Sequence, residues 1–208
     1  MALHQRPGPR TDRTNGSDAA PHTGTSADPA GQAAAGSAAL ARTAATARLL
    51  TALTFLWAFG DKTFGWGYAT PAGKGWADGG SPTRGFLSGV SAGPLEDVFH
   101  SWAGAAWADW LFMLGLLGIG AALASGLALR ATAVAGTLMM ALMWAAEWPP
   151  ARHLSDGAPS MSTNPLVDYH ALYAALLVVL AVLGAGRTWG LGRWWERQPV
   201  VRRHGWLR

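Results

Sequence analysis

The sequence predicts an all-α integral membrane protein built as an antiparallel bundle of four transmembrane helices. Three observations predict it. Four apolar stretches are each roughly 18–23 residues long, enough to cross a bilayer. Only 13% of the 208 residues are charged, against about a quarter in an ordinary soluble domain. The ionisable residues also fall near the ends of those stretches rather than in their middles.

Residues 1–39 consist mostly of Ala, Gly, Ser, Thr, Pro and Asp without a helical or alternating period. Such a segment buries too little apolar surface to offset the entropy of ordering, so it predicts a disordered cytoplasmic tail. A secretory signal peptide places its apolar run near the N-terminus, and here the first run begins after residue 40. The chain has no cysteine, which excludes disulfides, thiolate metal sites, iron–sulfur clusters and thiol chemistry carried by its own residues.

The membrane domain spans about 40–187. Its first helix covers about 41–60 (ARTAATARLLTALTFLWAFG) and its second about 107–129 (WADWLFMLGLLGIGAALASGLAL). The third covers about 131–148 and stops at Pro149-Pro150, since proline cannot continue a helix. The fourth covers about 169–186 (YHALYAALLVVLAVLGAG). At 1.5 Å rise per residue, about 20 residues cross the ~30 Å hydrocarbon core.

The outer loop, 61–106, is long enough to hold structure of its own. Ser81-Pro82 reads as a helix start, with Phe86, Leu87 and Val90 on its apolar side. After Gly93-Pro94, the residues Leu95, Val98, Phe99 and Trp102 recur at i, i+3, i+4 and i+7. Two short amphipathic interfacial helices are expected, either a lid over the bundle mouth or a shield for the helix ends. In the second apolar stretch, Gly118, Ala122 and Gly126 form a small-residue stripe suited to close helix packing. The partner is either the third helix, which the short turn at Arg130 favours, or a second protomer in a homo-oligomer.

Charge asymmetry sets the expected orientation. Arg6, Arg10, Arg13, Arg42, Arg48 and Arg130 fall on the same side as the basic C-terminal segment 188–208 and Arg187. Lys62, Lys74, Arg84 and Arg152 fall on the other. The positive-inside rule then makes both termini of a multi-pass membrane protein cytoplasmic, and the Trp residues sit at both predicted boundaries.

Ionisable groups within or beside membrane helices are functional candidates. Asp61 and Lys62 end the first helix, Asp109 opens the second, Glu147 closes the third, and Asp168 and His170 open the fourth. All lie at the outer level, where they could converge on one outward-facing pocket. His170 and Tyr173, at i, i+3, share a helix face. A His with a carboxylate and a Tyr can move a proton to or from a quinone or other small acceptor; equally, such groups can merely mark the membrane interface. Arg48 lies thirteen positions before Asp61, roughly 20 Å deeper, and must snorkel inward or pair within the bundle. No pair of histidines sits at mid-depth for a haem. A zinc site from His100, His153, His170 and a carboxylate has no local motif behind it, so no metal site is expected. There is no Walker A, dinucleotide or G-x-S-x-G motif, and the N-terminal arginines are too sparse for nucleic acid.

Several segments together carry a family resemblance. RLLTALTFLWAFGDKTFGWGYATP from Arg48, then W-x-D-GGSPT-x-GFL, DWLFMLGLLGIG, LMW, NP-x-x-D-Y-H with a following Tyr, and GLGRWW resemble the DoxX/DoxD group of four-helix membrane proteins. The resemblance covers the chain from about Arg48 to its last residues. It implies a protein of the bacterial plasma membrane that is a subunit of a quinone-linked oxidoreductase, acting on thiosulfate or related sulfur compounds or in oxidative-stress defence, with quinone as the ligand and a partner subunit or the substrate as electron source. It supplies no catalytic set, so Asp61, Lys62, Asp109, Glu147, Asp168, His170 and Tyr173 stand on the residue argument alone. A non-catalytic membrane scaffold and a small-solute carrier remain the alternatives.

Overall fold

The computed structural model describes residues 29–207, and the described residues are mainly helical, with no strand among them. Four long helices dominate: α1 Pro29–Phe64, α4 Ala106–Ser125, α5 Leu129–Glu147 and α6 Tyr169–Val182. The short helices α2 Arg84–Ser88 and α3 Glu96–Trp102 lie in the first long loop, and α7 Gly192–Trp195 and α8 Pro199–Arg203 follow α6.

Side-chain contacts give the direction of each helix. Arg48 bonds to the end of α4, Leu56 lies against Gly120, and Lys62 sits over Phe112, so α1 and α4 run antiparallel. Gly136 meets Ile119 on α4 and Leu177 on α6, and Glu147 reaches Tyr169, so α5 opposes both. The result is an up-down-up-down bundle with Arg48 at one end and Asp61 at the other.

The core is made of Ala52, Phe55, Met113, Leu116, Ile119, Leu123, Met140, Leu177 and Leu180. The outward faces are just as apolar: Leu50, Leu53, Leu111, Leu114, Val134, Leu138, Leu172 and Val182 are all exposed. Two helices, α4 and α5, are long and apolar enough to cross a membrane. α1 breaks its apolar run with Arg48, Asp61 and Lys62, and α6 has only 14 residues. These two therefore lack the continuous 18-residue apolar window of the others.

Several boundaries differ from those read in the sequence. Of the segment expected to be disordered, residues 1–28 lie outside the described residues, but 29–39 form the solvent-exposed first turns of α1. Alanine, the main residue of that run, has the highest helix propensity, and continuity with the buried part of α1 removes the cost of nucleation. α4 ends at Ser125 because Gly126 adopts φ +74 and bonds back to Ala122. α6 stops at Val182, and Ala185–Arg187 is a separate 3-10 turn beyond Gly184. The segment after residue 188 is a folded collar, with Val201 fully buried and Trp195 Nε1 donating to the Leu207 carbonyl.

The small-residue stripe also resolves differently. A Cβ at Gly118 would meet nothing within 4 Å, so that face points away from the bundle. Close approach on α4 comes from Gly120, against Leu56, and from Gly115, against Met139. Periodicity locates a stripe but not the rotation of the helix about its axis.

The two loop helices form as expected. Val90 and Phe99 pack with Ala146 at the end of α5, flanked by Leu87 and Trp102. Gly93, at φ +100, lets the Trp148 ring close over the connecting turn, where a Cβ would lie 2.6 Å from Trp148 Cγ. The α5–α6 connection is tied to the same layer by Ser155, whose N–H and hydroxyl both donate to the Ser91 carbonyl.

Candidate functional site

The polar residues at the Asp61 end are tied into separate local networks rather than one pocket. Asp109, buried on the first turn of α4, accepts three hydrogen bonds at Oδ1: from Ser81 Oγ at 2.8 Å, Thr83 N at 3.0 Å and Thr83 Oγ1 at 2.6 Å. It is the clasp that holds the Ser81–Thr83 segment on the bundle. Asp61 is buried as well and accepts the Tyr68 N–H at 3.4 Å, leaving Oδ2 without a hydrogen-bond partner among the described residues. Lys62, adjacent in sequence, turns away and sets its ammonium 5.8 Å from the Phe112 ring centroid.

The clasp predicts a local effect. Asp109→Leu leaves the Thr83 N–H and two hydroxyls without their acceptor, at about 1–3 kcal/mol for the buried donors. Limited proteolysis of detergent-solubilised protein should then show faster cleavage within 65–105, with α4 and α5 still protected. An unchanged cleavage pattern would contradict the clasp.

A second network joins the facing ends of α5 and α6. Asp168 is the N-cap of α6, and its Oδ1 accepts the Ala171 N–H at 3.1 Å. Its Oδ2 lies 2.8 Å from His170 Nδ1. Glu147 at the end of α5 places Oε2 3.9 Å from the same Nδ1 and accepts the Tyr169 hydroxyl at Oε1, at 2.5 Å. The Tyr169 ring tilts over the imidazole with centroids 4.0 Å apart. The sequence reading paired His170 with Tyr173; instead Tyr173 turns its ring edge-on to Phe55 in the core, at 6.5 Å.

His170 is 1% exposed, and its Nε2 has no hydrogen-bond partner among the described residues. The bond to Asp168 assigns the proton of the neutral ring to Nδ1, which makes Nε2 an acceptor. The arrangement is a carboxylate-oriented imidazole with its second nitrogen buried and unsatisfied. Such a group can take a proton or a hydrogen bond from a hydroxyl brought to it. Glu147, Asp168 and His170 each offer one ligand atom, all within 4.8 Å of one another. Here Nδ1 is engaged by Asp168 and Glu147 by Tyr169, so the geometry is that of a hydrogen-bond network. His100, the other candidate ring, bonds through Nε2 to the Val90 carbonyl at 2.7 Å, away from His170.

No family model, curated protein or solved structure matches this chain.

Burial raises the Asp168 carboxyl, but the hydrogen bonds from His170 and the Ala171 N–H, with the imidazole charge, outweigh it and hold the group below its ordinary value. A folded-state value below the unfolded one, near ~3.9, means stabilisation that is present above that value. It is lost as pH falls through the folded value. The thermal midpoint of the wild type is expected to drop from pH 6 toward pH 3 more steeply than that of Asp168→Asn, in which nothing at position 168 ionises. Parallel profiles for the two proteins would remove the linkage. The facing titratable groups are Glu147 from α5 and His170 and Tyr169 from α6.

At the opposite end, Arg48 is fully buried and acts as a structural hub. Its Nη1 donates to the carbonyls of Leu123 and Ala124 on the last turn of α4, and its Nη2 to those of Trp189 and Thr188. Of the two outcomes its depth allowed, it pairs within the bundle, with carbonyls rather than a carboxylate. Gly126 and Gly186 touch beside it: a Cβ on Gly126 would lie 2.8 Å from the Gly186 Cα and 3.2 Å from Arg48 Nη1.

Three functional or structural partners were not found from the sequence. The sequence marks Ser81 only as part of a helix start and carries no signal that singles out Thr83 or Tyr169, because their partners Asp109 and Glu147 lie on other helices. Tyr169 reaches Glu147 because it stands at the first position of α6, where its side chain reaches across to the end of α5.

Proposed function

We propose that this chain is a four-span membrane subunit of a quinone-linked oxidoreductase. In this reading the Asp168–His170 pair is the hydrogen-bonding and proton-exchanging site for the quinone head. The observation that carries it is the buried, unpartnered Nε2 of an imidazole whose other nitrogen is held by a carboxylate.

Membrane immersion is supported by what the apolar helices leave uncovered. Only 39% of the α4 window and 28% of the α5 window is buried, whereas the core helix of a soluble protein is covered nearly all round. Exposed Leu50, Leu53 and Trp57 on α1 and Leu172, Val178 and Val179 on α6 continue that apolar surface. α6 is about 21 Å long at 1.5 Å per residue, a mismatch that a bilayer accommodates by local thinning and by the interfacial Trp189 and Trp194 that follow it. In this reading both termini are cytoplasmic and the His170 network lies on the outer side, which the surplus of arginine at the Arg48 end supports; the bacterial plasma membrane is what the DoxX/DoxD resemblance implies.

In the working site, His170 Nε2 takes the hydroxyl proton of a quinol, or returns one to a quinone oxygen. Asp168 keeps the ring oriented and, with Glu147, stabilises the imidazolium that forms. With no cysteine in the chain, the electrons come from the substrate or a partner subunit. The DoxX/DoxD resemblance points to thiosulfate or a related sulfur compound as that substrate, or to a role in oxidative-stress defence. A non-catalytic scaffold is the second reading, favoured by Asp109, whose bonds all serve the loop.

The test is to purify the full chain with its natural partners in lipid, extract and identify bound quinone, and follow quinone reduction with thiosulfate or sulfite as the electron donor. Bound quinone together with substrate-dependent reduction supports the proposal. Absence of both overturns it in favour of the scaffold.

A further inference from the structure

A cleft at the Arg48 end is lined by Arg187, Arg193, Glu196, Arg197 and Arg202 and encloses about 610 Å³. Four guanidinium groups face one carboxylate, a surplus of positive charge in a small volume. Arg187 Nε pairs with Glu196 Oε1 at 2.7 Å, which neutralises one arginine and fixes the wall of the cleft. Arg193 and Arg197 are exposed, and their guanidinium groups have no hydrogen-bond or charge partner among the described residues.

The cleft belongs to the folded collar that follows α6, and that collar is also apolar. Trp189, Leu191, Trp194, Val200 and Trp206 are all more than half exposed, from 52% to 61%. Tryptophans beside uncompensated arginines, next to the end of an apolar helix, are the combination that seats at the headgroup level of a bilayer. Planar guanidinium groups bind phosphate oxygens in bidentate fashion, which the ammonium of a zwitterionic lipid does not need and partly screens. Basic pockets on the cytoplasmic side of membrane helices take acidic headgroups for this reason.

We infer that this cleft is a binding site for the phosphate of an acidic phospholipid, with Arg193 and Arg197 as its principal contacts and Trp194 against the adjoining acyl region. The lipid would seat the collar on the inner leaflet. This rests on the membrane reading above but not on the quinone assignment.

The test is native mass spectrometry of the full chain released from detergent and titrated with phosphatidylglycerol or phosphatidylcholine, for the wild type and R193Q/R197Q. The wild type should retain phosphatidylglycerol adducts at lower lipid concentration than phosphatidylcholine adducts. The double substitution should weaken the phosphatidylglycerol adducts about thirtyfold, since each basic residue at the surface contributes about fivefold, and leave phosphatidylcholine unaffected. A third arm adds inorganic phosphate at millimolar concentration, which should not displace the lipid. Equal retention of the two lipids, or a double variant that binds like wild type, overturns the proposal. Displacement by free phosphate also overturns it and makes the cleft a soluble-anion site. Recovery of the chain without detergent would instead overturn the membrane reading, so the two failures are distinguishable.

Discussion

Arg48→Met is expected to abolish recovery of folded protein. The guanidinium is fully buried and joins α1 to the last turn of α4 and to the Thr188–Trp189 strap after α6. Carbonyls in the last turn of a helix have no intrahelical donor and carry the negative end of its dipole, so a cation there satisfies both needs. Methionine keeps much of the stem's volume and contacts while removing every donor. The Ala124 and Trp189 carbonyls then lose the bonds that Arg48 makes at 2.9 Å. The Leu123 bond is buried and the other three are part-buried, so the loss is about 1–3 kcal/mol for the first and less for each of the others, set against a total stability of about 5–15 kcal/mol. Size-exclusion chromatography in mild detergent should show aggregate in place of the monodisperse wild type. Arg48→Lys should recover part of the folded fraction, because one ammonium retains the charge but not the fork that reaches two segments. A monodisperse Arg48→Met protein with an unchanged melting temperature would show that the hub does not hold the bundle.

His170→Gln is expected to lower quinone-dependent turnover by at least about a hundredfold, the usual range for removal of a general acid–base group. Glutamine can hydrogen-bond from a similar position but does not titrate, so the loss should fall on kcat with KM for the quinone little changed. Asp168→Asn should fall between wild type and His170→Gln. Its amide oxygen still accepts the Nδ1 proton and orients the ring, but the charge that stabilises the imidazolium is gone. Thermal melting separates chemistry from folding: His170→Gln should lower the midpoint only by what the bond to Asp168 contributes, since the change leaves Glu147–Tyr169 and the Asp168 cap in place. Wild-type turnover in His170→Gln would remove His170 from the mechanism and leave the scaffold reading.

Helix ends were legible where a residue type acts through its own backbone. Pro149-Pro150 ends α5 near Glu147, Asp168 caps α6, and the Gly93-Pro94 break separates α2 from α3. The Ala-rich segment 29–39 was misread because Gly, Ser and Pro around it resemble linker composition, while its helicity is carried by connection to α1. Asp61, Lys62, Asp109, Glu147, Asp168 and His170 were correctly placed at one end of the bundle, but they do not act together. Asp109 and Asp61 bind loops, and only Glu147, Asp168 and His170 meet.

The amino-acid sequence by itself determined the number of long helices, the approximate extents of α4 and α5 and the end at which each ionisable group lies. Those properties follow from local rise, apolar periodicity and residue chemistry. Only the tertiary structure decided that Arg48 pairs with carbonyls, that Tyr169 rather than Tyr173 joins the His170 network, and that the C-terminal arginines surround a cleft. Each of these depends on how helices rotate about their axes and how long loops return to the bundle. Packing between residues far apart in sequence sets both, and no local period records it.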